Sequence, residues 1–93
     1  MSFEFDPVKS AENNGQRGLP FDFAALIFEG PFIEEPDQRI DYGETRFVAT
    51  GPIEELGGRV FVVVYTWRGH IRRIVSFRKA NDREIRKYHS HVA

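Results

Sequence analysis

Polar and apolar residues alternate at the start of the chain, Phe3-Glu4-Phe5, which predicts a short strand. Asp6-Pro7 follows with the signature of a helix start, Asp6 as N-cap and Pro7 in the first turn, and the helix is expected to run to about Asn14, ended by Gly15 and Gly18. Phe21, Ala24, Ala25 and Phe28 then recur at i, i+3, i+4 and i+7, which predicts a second helix from Phe21 to Phe28, stopped by Gly30-Pro31. Phe32 to Glu35 reads as a short strand and Pro36 to Glu44 as a polar loop. Arg46 to Thr50 alternates, with Phe47 and Ala49 on one side and Arg46, Val48 and Thr50 on the other. After a connection over Gly51 to Gly58, the stretch Arg59 to Trp67 is rich in Val and aromatics on both faces, as a central strand requires. Gly69-His70 turns the chain into a partner strand from Ile71 to Arg78. Asn81 caps a final helix, with Glu84 three residues on in a capping-box arrangement. The order is β-α-α-β-β-β-β-α: an α+β domain with two N-terminal helices and a C-terminal helix packed on a mainly antiparallel sheet.

Ninety-three residues without a repeat or linker make one domain, 1–93. A chain of this size buries roughly 60–65% of the surface it exposes when unfolded. Nine Phe residues suit so small a core, because each buried ring removes a large apolar area from water. The absence of Cys excludes disulfides and thiolate metal sites. The N-terminus lacks the basic and apolar segments of a signal peptide, and the longest apolar run, Val60 to Tyr65, is too short to span a bilayer; a cytoplasmic protein with no membrane contact is expected.

The net charge of −1 conceals an asymmetry. Residues 1–45 hold ten Asp/Glu against three Lys/Arg, and residues 46–93 hold ten Lys/Arg against four Asp/Glu. Either the two halves neutralise one another across the fold, or the second half presents a basic surface to an anionic partner.

The densest basic cluster is Arg68, His70, Arg72, Arg73, Arg78 and Lys79, continued on the last helix by Arg83, Arg86 and Lys87. Strict strand alternation puts Arg72, Ser76 and Arg78 with Ile74, and Arg73 with Ile71, Val75 and Phe77 on the more buried face. A guanidinium there needs an anion, either a carboxylate such as Glu84 or a substrate phosphate. Tyr65 and Trp67 share one face of the neighbouring strand and serve either as core or as platforms on which nucleobases stack. Glu84 and Tyr88, at i and i+4, are either a cap and a packed ring or a proton-transfer pair. His70 is of the right type for an acid or base but has no partner fixed by the sequence. His89-Ser90-His91 reads as a solvated tail, with no third ligand in sight, and no metal or other cofactor is expected.

Taken together, Val62-Val63-Val64-Tyr65-Thr66-x-Arg68-Gly69, then Arg73-Ile74-Val75-Ser76-x-Arg78-Lys79-Ala80, then Glu84 and Tyr88, resemble the signature of the BrnT toxins. Phe5-Asp6-Pro7-x-Lys9, Asn13, Gly18, Phe21 and Arg46 agree at the family's spacing, so the resemblance covers nearly the whole chain. It implies a RelE-like fold and a metal-independent endoribonuclease that inhibits translation, with attack by the ribose 2′-hydroxyl on the adjacent phosphate. It implies a BrnA-like antitoxin partner, with DNA contacted only through that antitoxin. On this resemblance Arg73 and Arg78 bind the phosphate and stabilise developing charge, and Glu84, Tyr88 or His70 transfers protons. Arg46, Arg68 and Lys79 hold the RNA backbone and Tyr65 stacks a base. Such sequences usually carry Lys-His before the glycine after the first helix, where this chain has Gln16-Arg17. Read from the residues without the resemblance, a non-catalytic nucleic-acid-binding module and a protein-docking module both stand beside the enzyme.

Overall fold

A computed structural model describes residues 2–37 and 43–92. One five-stranded sheet, in the order β1-β5-β4-β3-β2, organises them. Its strands are β1 (Phe3–Phe5), β2 (Ile33–Asp37), β3 (Arg46–Ile53), β4 (Arg59–Arg68) and β5 (Ile71–Lys79). The β2–β3, β3–β4 and β4–β5 pairs are antiparallel, and β1 joins the edge of β5 in parallel. The chain is thus α+β with a mixed, mainly antiparallel sheet, and β4 is buried on both faces as its composition predicts.

Helix α1 (Pro7–Arg17) begins as expected, Asp6 Oδ1 accepting from the Val8 N–H at 2.9 Å. It runs three residues past the expected end. Gly15 lies within it, and the stop is Gly18, whose φ of +68° is a left-handed conformation that costs a glycine little. The second N-terminal helix is corrected in kind: Phe21–Glu29 is a 3₁₀ helix. Three residues per turn align Phe21, Ala24 and Ile27, all at most 3% exposed, along the side that meets the sheet. Over eight or nine residues the apolar spacing satisfies both helical periods, so the pattern alone does not separate them. Pro20 precedes this helix without a capping side chain, and buried Ser10 of α1 supplies the acceptor instead, its Oγ taking the Phe21 N–H at 2.8 Å.

Strands β4 and β5 each run one residue past their predicted ends, and β2 and β3 run further. Strand β2 takes in Pro36 and Asp37, and Pro36 is tolerated because β2 is an edge. The rest of the predicted loop, residues 38–42, lies outside the described residues. Strand β3 continues through Gly51 and Pro52 to Ile53. A Cβ on Gly51 would sit 2.6 Å from the Pro31 carbonyl oxygen and 2.9 Å from the Phe32 Cβ, so the strand passes its neighbour only with hydrogen at this position.

The core lies between the 3₁₀ helix and one face of the sheet, where Ala49, Phe61, Val63, Tyr65, Ile74 and Phe77 pack against Phe21, Ala24, Ile27 and Phe28. Helix α2 (Asp82–Val92) lies over the opposite face, fixed at its start by the expected capping box: Asn81 Oδ1 accepts from Glu84 N–H and Glu84 Oε1 from Asn81 N–H, both at 2.9 Å. No helix among the described residues is long and apolar enough to cross a membrane.

Candidate functional site

The arrangement of the arginines turns on one irregularity. The β4–β5 register shifts between Val64 and Tyr65: Val64 faces Ser76 while Tyr65 faces Ile74, so Val75 is an extra residue on β5. Such a bulge breaks strand alternation. Arg78 opposite Val62, Ser76 opposite Val64 and Arg73 opposite Thr66 therefore share the face beneath α2. Arg72 instead joins Ile74 and Phe77 on the core side. Strict alternation had separated Arg73 from Arg78 and placed Arg73 on the buried face; both statements are corrected, because a one-residue insertion flips every side chain on one side of it.

On that face a groove of about 510 Å³ opens between the sheet and α2. Val48, Thr50, Val62 and Val64 form its floor; Arg78, Arg83, Lys87 and His91 line one side, and Glu34, Glu35, Asp37 and Glu84 supply negative charge. The groove is of mixed charge rather than uniformly basic. Arg78 forms a two-pronged pair with Glu84, Nη1 to Oε1 and Nη2 to Oε2, each 2.8 Å. Arg73 pairs with Glu4, its cross-strand neighbour on β1, through Nη1 alone at 2.5 Å. Lys87 reaches Glu35 at 2.7 Å. Glu4, rather than Glu84, is thus the partner of Arg73. All three pairs remain part-exposed, with side-chain exposures between 25% and 57%, so water and ligands can compete for these cations.

The aromatic platform predicted from Tyr65 does not form. Its ring is 1% exposed, stacked on Phe47 at 5.6 Å and met edge-on by Phe28 and Trp67, and its hydroxyl donates to Glu34. A side chain buried on a central strand has no face left for a base, and Tyr65 belongs to the core. Trp67, nearer the strand end, is 43% exposed. Arg72 lies over the rings of Phe28 and Trp67, with its guanidinium carbon 4.0 and 4.6 Å from their centroids. Burial lowers the Arg72 pKa from its ordinary range, and the nearby Glu34 carboxylate opposes that shift.

Glu84 and Tyr88 also part company. Glu84 faces the groove, whereas Tyr88 is 4% exposed and its hydroxyl points at the Pro31 carbonyl oxygen at 3.5 Å. The ring is packed, which removes it from a proton-transfer pair with Glu84 in this conformation. His70 is exposed in the β4–β5 turn and Arg68 at the end of β4, both away from the residues lining the groove. Arg46 begins β3 opposite Asp37. Lys79 ends β5 and points to the core side with its cross-strand neighbour Phe61. His89 and His91 are part of α2 rather than a loose tail, and His91 Nδ1 lies 2.9 Å from the Lys87 carbonyl oxygen. Among the described residues no three His, Cys, Asp or Glu side chains come together as a metal site. Sequence reasoning missed Glu4; its only signal was a carboxylate between two core phenylalanines, on the outward side of a strand.

Fold and site together define a small α+β protein with paired arginines and a glutamate along one sheet face. The chain matches the family model described as the ribonuclease toxin BrnT of type II toxin-antitoxin systems over residues 5–84, and it belongs to that family. No curated protein matches it.

Proposed function

We propose that the chain is a cytoplasmic endoribonuclease toxin that halts translation by cutting RNA, held in check by a BrnA-like antitoxin through which alone it meets DNA. The observation that carries this reading is the Val75 bulge, which sets Arg73 and Arg78 on one face of the sheet, Arg78 lining the α2 groove and Arg73 further along the strand, outside that lining. Guanidinium groups four strand positions apart, about 13 Å between their backbones, can hold neighbouring phosphates of one strand and stabilise charge as it develops on the phosphate that is attacked. Glu84 stands against Arg78 in the resting protein. When Arg78 turns to phosphate, the released carboxylate can take the proton of the attacking 2′-hydroxyl as the P–O2′ bond forms; the P–O5′ bond breaks and the departing 5′-oxygen takes a proton from water, a route that needs no metal. Arg83 and Lys87 at the groove, with Arg46, Arg68 and Lys79 further out, hold the backbone electrostatically, and His70 is a second proton-transfer candidate. A RelE-like architecture accords with a sheet carrying its chemistry on the face opposite the N-terminal helical layer.

A second reading, a non-catalytic module that binds RNA or docks the antitoxin, draws support from the two-pronged Arg78–Glu84 pair and the mixed charge of the groove. Inducible expression of wild type and Arg73→Ala, with RNA integrity followed in both, separates the two. Growth arrest with RNA fragmentation in wild type and neither in Arg73→Ala is expected for the toxin. Intact RNA beside a folded, RNA-binding wild-type protein would leave the module.

A further inference from the structure

A second basic site lies outside the groove, where the end of α1 meets the ends of β4 and β5. Arg17, Arg59 and Lys79 line a depression of about 480 Å³ around an apolar floor that includes Leu19, Leu56 and Phe61, and no carboxylate lines it. Among the described residues none of the three cations forms an ion pair with an acid. Elsewhere the folded chain matches Arg73, Arg78 and Lys87 with carboxylates. Bringing three like charges to one hollow does not stabilise the apo fold, and an anion entering it would relieve their repulsion.

Arg17 is also held in place. Its Nη1 donates to Asn13 Oδ1 at 2.5 Å, and Asn13, itself 5% exposed, spends both amide protons on the carbonyl oxygens of Leu19 (2.7 Å) and Phe77 (2.9 Å). A buried amide tied to α1's exit and to β5 thus fixes one guanidinium before any ligand arrives, which lowers the ordering cost of binding. A smaller depression of about 350 Å³ lies next to the hollow, lined by Arg17, Leu19 and Lys79 and by Arg78, which also lines the groove.

We propose that Arg17, Arg59 and Lys79 form a second phosphate subsite, which holds the backbone of the same RNA strand that reaches Arg78. The existence of an anion site rests on this geometry; RNA as its ligand rests on the function proposed above. The path of the strand between the two subsites follows the edge of β5, past Lys79.

The test uses the full chain and a fluorescein-labelled ten-nucleotide RNA oligomer methylated at every 2′-oxygen, which lacks the attacking hydroxyl and stays intact. Anisotropy titrations across a range of KCl concentrations give the salt slope for wild type, Arg17→Gln, Arg59→Gln and the charge-matched control Lys9→Gln, an exposed position on α1. Each single-strand phosphate that a cation ceases to neutralise flattens the slope of log affinity against log salt by about 0.7. Arg17→Gln and Arg59→Gln are each expected to flatten it by about that much, and Lys9→Gln to match wild type. Arg59 is exposed at the start of β4, so its variant tests the subsite even if Arg17→Gln disturbs α1. Equal slopes in all four proteins, or the same flattening in all three variants, would overturn the subsite. A parallel cleavage assay on ordinary RNA separates the two readings. Flattened slopes with no cleavage by wild type keep the subsite and discard the nuclease, whereas cleavage with unchanged slopes does the reverse.

Discussion

A guanidinium in a folded chain is accommodated by spreading its charge over aromatic faces and by meeting carboxylates, and Arg72, with Glu34 nearby, draws on the rings where Arg73 draws on an ion pair. Arg72 lies over Phe28 and Trp67 on the core side, and Arg73 meets Glu4 on the other. Their substitution phenotypes should differ accordingly. Arg72→Ala removes cation–π contacts and the packing of its stem, and is expected to cost about 1–2 kcal/mol in urea unfolding while RNA cleavage per folded molecule survives. Arg73→Ala breaks only a part-exposed pair, so its stability should fall by less than about 1 kcal/mol while cleavage is abolished. Comparable destabilisation with both activities intact would remove Arg73 from the site. Two adjacent arginines look alike in the sequence, and nothing local says which ring or acid each will meet. The aromatics around Arg72 come from β4 and the 3₁₀ helix, and Glu4 comes from β1.

Elements were legible where their signals are local. Asp6-Pro7 and the Asn81/Glu84 box opened helices where expected, and the β4–β5 hairpin followed from its composition and its Gly69-His70 turn. What failed were distinctions that depend on neighbours: the 3₁₀ period of Phe21–Glu29, the passage of β3 beyond Thr50, and the bulge that reorders β5. Two glycines show the difference in a measurable way. Gly15 is inside α1 with open space around its missing Cβ, so Gly15→Ala should raise stability by about 0.5–1 kcal/mol, seen as a higher Tm. Gly51 passes Pro31 and Phe32 so closely that Gly51→Ala should push β3 away from the segment that leads into β2 at a cost of about 1–3 kcal/mol. Equal Tm changes of the same sign in the two variants would contradict the placement of both.

At the scale of the molecule, part of the charge asymmetry of the sequence is neutralised within the fold and part of it stays at the surface. Acids of the first half hold cations of the second in the Glu4–Arg73 and Glu35–Lys87 pairs, while Arg17, Arg59 and Lys79 gather with no acid among the residues that line their hollow. The internal pairs are part-exposed and therefore weak individually, so salt should change the fold's stability little. Phosphate contacts respond differently, because each releases condensed counterions from the RNA. Raising KCl from about 0.05 to 0.3 M is thus expected to move unfolding free energy by less than about 1 kcal/mol. With roughly four phosphates engaged, affinity for single-stranded RNA should fall about 100-fold over the same range. Urea titrations and anisotropy in matched buffers measure the two quantities side by side. A fold that weakens in step with RNA binding would mean that the cations act mainly as internal braces, and an affinity indifferent to salt would mean that they do not meet phosphate at all.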